Sequence, residues 1–133
     1  MIARATSFSA LAFVLSVVAV ACGSEANPST SLSPAAERGR EVAGRLGCAS
    51  CHSVNGDVVV GPSWSGSWGS TVELDDGTSV VFDENYVTQA VRDPASQRRP
   101  GTWVQMPMFG TGQLSDDEVA DIVAYIKELD GAP

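Results

Sequence analysis

The clearest periodic pattern lies near the C-terminus, where apolar residues recur at helical spacing. The stripe consists of Val119, Ile122, Val123, Tyr125, Ile126 and Leu129. Just before it, Ser115 and Glu118 have the spacing of a capping box. Leu114 and Val119 are placed to form the hydrophobic staple that often accompanies such a box. The pattern predicts an amphipathic helix that begins after Ser115 and ends by Gly131.

A second helix is predicted from its start signal. Ser33 is a suitable N-cap and Pro34 fits the first helical position, so the helix should run from Pro34 to about Leu46. Gly39 and Gly44 lower its intrinsic propensity. A glycine in mid-helix often marks close approach by another element, and we expect that element to be the C-terminal helix.

The middle of the chain predicts a short hairpin and a third helix. Residues 71–74 and 79–82 alternate between polar and apolar around an Asp-Asp-Gly-Thr turn, which is typical of a β-hairpin. Asp83 can cap a helix over residues 84–92, which Pro94 stops. Residues 95–105 are predicted to form a loop.

Composition and charge narrow the possible partners. The chain has 133 residues, which is room for one small domain. It carries 16 acidic and 8 basic residues, a net charge of −8. This balance argues against nucleic acid as a partner, because there is no basic stripe to neutralise phosphates. An acidic face suits a basic protein partner or simply aids solubility.

The candidate chemistry lies in Cys48-Ala49-Ser50-Cys51-His52, the C-x-x-C-H pattern of covalent c-type haem attachment. Cys48 and Cys51 can each add to a vinyl group of one porphyrin, and the adjacent imidazole can bind the iron. His52 is the only histidine of the chain, so ligation by two histidines is excluded.

The third cysteine, Cys22, follows an apolar run over residues 8–21 that Arg4 precedes. This is the pattern of an export signal, and the run is shorter than the roughly 20 apolar residues of a membrane span. Ala19-Val20-Ala21 fits an ordinary signal-peptidase site. Together with Cys22 it also resembles a lipobox, although alanine replaces the usual leucine. Because lipidation would account for the leftover thiol, we favour a lipid on Cys22.

These patterns divide the chain into three parts. Residues 1–21 are predicted to be a signal peptide of the lipoprotein type. Residues 22–33 are rich in Ser, Asn, Pro and Thr, and we expect a flexible tether there. Residues 34–133 are predicted to form the folded domain, on the periplasmic side of a bacterial envelope. It would be lipid-anchored to a membrane or, alternatively, soluble in the periplasm.

Several motifs together resemble those of the class I (monohaem) cytochromes c. They are the C-x-x-C-H pentapeptide, Gly61-Pro62-Ser63-Trp64, Asp83-Glu84-Asn85-Tyr86, Arg92-Asp93-Pro94 and Met106-Pro107-Met108-Phe109. The likeness covers roughly residues 35–130. It is strongest to the cytochrome c domains fused to subunit II of bacterial haem–copper oxidases.

The resemblance implies an all-α fold of three to four helices around one covalent haem c, with the hairpin as an insertion. It implies that Cys48 and Cys51 form thioethers, and that His52 and Met106 are the axial ligands. Met106 is preferred to Met108 because proline follows it, as in the family. The Pro62 carbonyl is expected to accept a hydrogen bond from the ligating histidine.

Arg98 and Arg99 are available to meet the haem propionates, but two solvated arginines are an equally good interpretation. Trp64 and Trp68 are expected to pack in the core.

The implied function is single-electron transfer in a bacterial respiratory or related chain, by a monomer that is not an enzyme. Partners would be redox proteins: a terminal oxidase, a quinol-oxidising complex or a dehydrogenase. The alternative is a five-coordinate haem enzyme or gas sensor from which Met106 departs, but no second histidine is present for acid–base chemistry. A thioredoxin-like dithiol would need a βαβ setting that the sequence does not predict.

Overall fold

A computed structural model describes residues 31–131 of the chain. The predicted signal peptide, Cys22 and most of the predicted tether lie outside this range. The regular elements, in chain order, are α1 (Pro34–Arg45), β1 (Thr71–Glu73), β2 (Ser79–Val81), α2 (Glu84–Arg92) and α3 (Asp116–Leu129). Two 3₁₀ turns, Cys48–Ser50 and Pro94–Gln97, connect them. The predicted helices and hairpin are confirmed.

Helices α1 and α3 form the scaffold, and they pack with their backbones in contact. A Cβ on Gly39 would lie 2.0 Å from the Asp121 carbonyl oxygen, so only glycine permits this approach. The expectation for Gly39 is therefore confirmed. Gly44 is different, because it is exposed and a Cβ there would meet no atom within 4 Å.

The capping box sets the start of α3 as predicted. The Ser115 hydroxyl accepts a hydrogen bond from the Glu118 amide at 3.2 Å, and the Glu118 carboxylate accepts one from the Ser115 amide at 2.8 Å. Leu114 and Val119 are both buried beside this box. The apolar stripe of α3 supplies much of the core, including Ile122 and Ile126.

The antiparallel hairpin places Thr71 opposite Val81 and Glu73 opposite Ser79. Its turn contacts the segment after α2, where the Asp75 amide donates to the Arg98 carbonyl at 2.9 Å. The loop predicted for residues 95–105 needs a correction, because it begins inside the 3₁₀ turn Pro94–Gln97. The Asp93 carbonyl stabilises this turn by accepting from the Ser96 amide and hydroxyl, at 3.0 and 2.8 Å.

The folded part includes the last residues assigned to the tether. Leu32 packs against the core, and the Ser33 amide donates to the Glu128 carboxylate at 2.8 Å. Within residues 31–131, no helix has the length and apolar character needed to cross a membrane.

Candidate functional site

The predicted site residues of the domain meet at one cavity of about 200 Å³. Its lining includes Cys48, Cys51, His52, Pro62 and Met106. Apolar side chains from α2 and α3, among them Val87, Ile122 and Ile126, form part of its walls. The structure thus brings together five of the six predicted site residues. Cys22, the sixth, lies outside the described range.

The turn that follows α1 delivers the thiols and the imidazole. Gly47 adopts φ of 76°, the left-handed region that favours glycine, and this redirects the chain. The amides of Cys51 and His52 then both donate to the Cys48 carbonyl, at 3.1 and 3.0 Å. Both cysteines are free thiols, and burial raises the pKa of Cys48.

The His52 ring is fixed in orientation by its neighbours. Its Nδ1 lies 2.8 Å from the Pro62 carbonyl oxygen, so the tautomer that donates from Nδ1 leaves Nε2 with a free lone pair. A Cβ on Gly61 would lie 2.7 Å from the ring's Cε1. The buried Trp64 stacks on the imidazole, with centroids 5.2 Å apart and planes at 15°. Trp64 is therefore both a core residue and a support for His52.

Electrostatics keep this imidazole neutral. Burial lowers the pKa of His52 below its ordinary value, and the nearby charge of Arg99 lowers it further. The hydrogen bond to the Pro62 carbonyl acts in the opposite direction but does not overcome burial. A neutral imidazole is the form that binds a metal.

The two candidate methionines differ in their surroundings. Met106 is partly buried, packs against the core and lines the cavity. Met108 is 67% exposed. The sequence preference for Met106 therefore agrees with the position of its side chain.

Arg92 holds the methionine segment in place, a role that sequence reasoning missed. Its guanidinium donates to the carbonyls of Phe109 and Leu114, at 2.9 and 2.7 Å, and to Asp116 at 2.6 Å. These bonds connect the end of α2 to the segment between Met106 and α3. The only signal in the sequence was that Arg92 belongs to one of the family-like motifs.

The two neighbouring arginines have different environments. Arg98 also borders the cavity, but it is exposed and pairs with Asp75 at 3.3 Å. Arg99 lines the cavity, its guanidinium lies 6.0 Å from the centroid of the Tyr86 ring, and its Nε is buried without a hydrogen-bond partner in the structure. Gln97 also lines the cavity and has a buried, unpartnered Oε1. Gln97 was missed in the sequence.

This set of groups fits a covalently attached haem. Two thiols, an imidazole and a thioether line the same mostly apolar cavity, and the buried polar atoms of Gln97 and Arg99 offer partners for charged substituents of a porphyrin. Within residues 31–131, no group of three or more His, Cys, Asp and Glu side chains could hold a metal ion directly.

The comparison with protein families agrees with this chemistry. The family model described as cytochrome c matches residues 36–130. No curated protein matches the chain. Among solved structures, cytochrome cH from Methylobacterium extorquens is similar, with 25% identity and a TM-score of 0.48. The similarity covers 70% of this chain and 97% of that one.

Proposed function

The chain belongs to the cytochrome c family, and we propose that it carries single electrons through one haem c with His52 and Met106 as axial ligands. The family and the class I cytochrome c fold make it a haem protein of electron transfer. Cys48 and Cys51 would form the thioether bonds. The convergence of these four side chains on one apolar cavity carries the proposal. Haem supplies a reversible one-electron couple when it is bound.

Two residues would have distinct tasks in that function. Pro62 fixes the His52 tautomer and makes the ring a stronger donor. Met106 offers a neutral thioether, a ligand that favours the reduced state. If His52 and Met106 both held the iron, no position would remain open for a substrate, and this favours electron transfer over the alternative of a haem enzyme or gas sensor.

Optical and paramagnetic resonance spectra of the oxidised holoprotein test the ligation. Histidine–methionine ligation predicts a low-spin spectrum with the weak long-wavelength band of an iron–thioether bond. A high-spin spectrum without that band would exclude the proposed mechanism. The same sample, digested and analysed by mass spectrometry, shows whether haem is joined to Cys48 and Cys51.

We place the surface for electron exchange on the loop that lines the cavity before Met106. Trp103 is 81% exposed there, and its neighbours Thr102 and Val104 line the cavity. Exposed apolar side chains beside a cofactor are typical of a contact surface. Given the net charge of −8, we expect a basic redox protein of a bacterial respiratory or related chain as partner.

The N-terminal sequence supports an anchored location, which we propose from its pattern alone. A lipid on Cys22 would hold the domain on the periplasmic side of the envelope through more than one acyl chain. Intact-mass analysis of the mature protein tests this. A mature chain that begins at Cys22 with added diacylglycerol is expected, and an unmodified N-terminal Cys22 would make the protein a soluble periplasmic carrier.

A further inference from the structure

Two polar side chains that line the cavity have unmet hydrogen-bonding capacity. Among residues 31–131, the Oε1 of Gln97 and the Nε of Arg99 are the buried side-chain atoms without a partner. A buried, unsatisfied polar group costs free energy, about 1–3 kcal/mol. Both residues line the cavity that also holds His52 and Met106. The free-energy cost of burying these two atoms would be offset if a polar group of the cofactor formed hydrogen bonds with them.

The hydrogen-bonding groups of Gln97 and Arg99 favour an anion as the binding partner. A guanidinium donates and never accepts, and it prefers carboxylates. The terminal amide of Gln97 can rotate to present its NH₂ group in place of Oε1, so it can donate to the same anion. Tyr86 faces Arg99 with its ring and supplies no negative charge there. Among residues 31–131, no carboxylate lies within ion-pair distance of Arg99.

The hairpin engages one of the two arginines that line the cavity. Its turn residue Asp75 donates from its amide to the Arg98 carbonyl at 2.9 Å, and its carboxylate pairs with the Arg98 guanidinium at 3.3 Å. Arg98 has extended backbone angles, φ −69° and ψ 136°. These angles lie close to polyproline II, which has three residues per turn, so the Arg98 and Arg99 side chains project in different directions. Both arginines line the cavity, but Asp75 pairs with the Arg98 guanidinium, whereas the Nε of Arg99 is buried without a partner among the described residues.

We propose that Gln97 and Arg99 form the binding site for a carboxylate of the haem, and that Arg98 takes no part in it. The inference rests on the proposed haem site and adds which side chains recognise the acidic edge of the cofactor. It also gives the hairpin a role, because its backbone contact fixes the segment that carries this site.

Resonance Raman spectroscopy of the holoprotein tests the proposal, since the bending band of the haem propionates reports their hydrogen bonds. Arg99→Gln and Gln97→Leu should each shift this band. Arg98→Gln is the matched control and should leave it in place, because the exposed pair with Asp75 contributes little and the backbone bond remains. Arg99→Lys, which keeps the charge, should shift the band less than Arg99→Gln.

The outcomes separate this proposal from the proposed function. An unchanged band in Arg99→Gln, or an equal shift in Arg98→Gln, would overturn the carboxylate site while low-spin spectra still supported histidine–methionine ligation. An unchanged band in Gln97→Leu would remove Gln97 from the site. If wild-type protein lacked covalent haem altogether, the proposed function itself would fail.

Discussion

Gly61 lies so close to the His52 ring that there is no room for a side chain at this position. A Cβ at this position would lie 2.7 Å from Cε1 of the imidazole, on a ring that also stacks against Trp64. Gly61→Ala should therefore displace the ring and lower the free energy of unfolding of the holoprotein by about 1–3 kcal/mol. Chemical denaturation measures this. Gly112→Ala is the control, since a Cβ there meets no atom within 4 Å.

Met106 and Met108 form a natural pair for testing the distal ligand. Met106→Ala should lower the reduction potential and allow the reduced iron to bind carbon monoxide, because the thioether that favours the reduced state is removed. Met108→Ala should do neither, and it should change stability by at most about 0.5 kcal/mol, because Met108 is 67% exposed. Redox titration and carbon monoxide difference spectra check both. Loss of the iron–thioether band in the Met108 variant alone would reverse the assignment.

At the scale of elements, the contact between α1 and α3 depends on Gly39. Gly39→Ala should lower the free energy of unfolding by about 1–3 kcal/mol or more. The new Cβ would lie 2.0 Å from the Asp121 carbonyl oxygen, so the two helices would have to separate. Gly44→Ala is the matched control in the same helix. It should stabilise the protein by up to about 1 kcal/mol, since alanine favours a helix and the site is open. Thermal and denaturant unfolding compare them, and equal effects would contradict the packing argument.

The capping box of α3 should give stability a pH dependence. The hydrogen bond from the Ser115 amide lowers the pKa of Glu118, and the charge of Arg45 adds to this. The ionised carboxylate therefore stabilises the fold above the ordinary pKa of glutamate, about 4.3, and this stabilisation is lost as the pH falls through the lowered value. In the Glu118→Gln variant, the free energy of unfolding should fall less steeply as the pH is lowered. Denaturant melts of both proteins at several acidic pH values measure the difference, and identical slopes would contradict it.

The parts of the site that follow from the sequence are those encoded by local chemistry. The C-x-x-C-H turn places three groups within five residues, and the capping box of α3 is also local. Met106 could be preferred to Met108 only because proline follows it. The sequence does not distinguish Arg98 from Arg99, because the pairing of Arg98 with Asp75 and the burial of the Arg99 Nε are tertiary features. Tertiary contacts also give Trp64 and Arg92 their roles, and a linear pattern does not contain such contacts.

At the scale of the whole molecule, net charge should govern how fast electrons enter and leave. The chain carries a charge of −8, so its field attracts cations and repels anions. Electron exchange with hexaammineruthenium, a cationic complex, should slow as salt is added. Exchange with hexacyanoferrate, an anionic complex, should become faster. The salt dependence of each rate is the quantity to compare, because it does not depend on the different driving forces of the two reagents.

Screening by salt determines how much the two electron-exchange rates change. The Debye length falls from about 30 Å at 0.01 M salt to about 8 Å at 0.15 M, so most of the long-range field disappears across that range. Electrostatic steering changes association rates by about 10- to 1000-fold, and the two rates should therefore converge by roughly tenfold or more. Stopped-flow kinetics of the holoprotein measure both series. If both reagents had the same salt dependence, a local and nearly neutral surface around Trp103 would control electron exchange, and the expectation of a basic partner would lose its electrostatic basis.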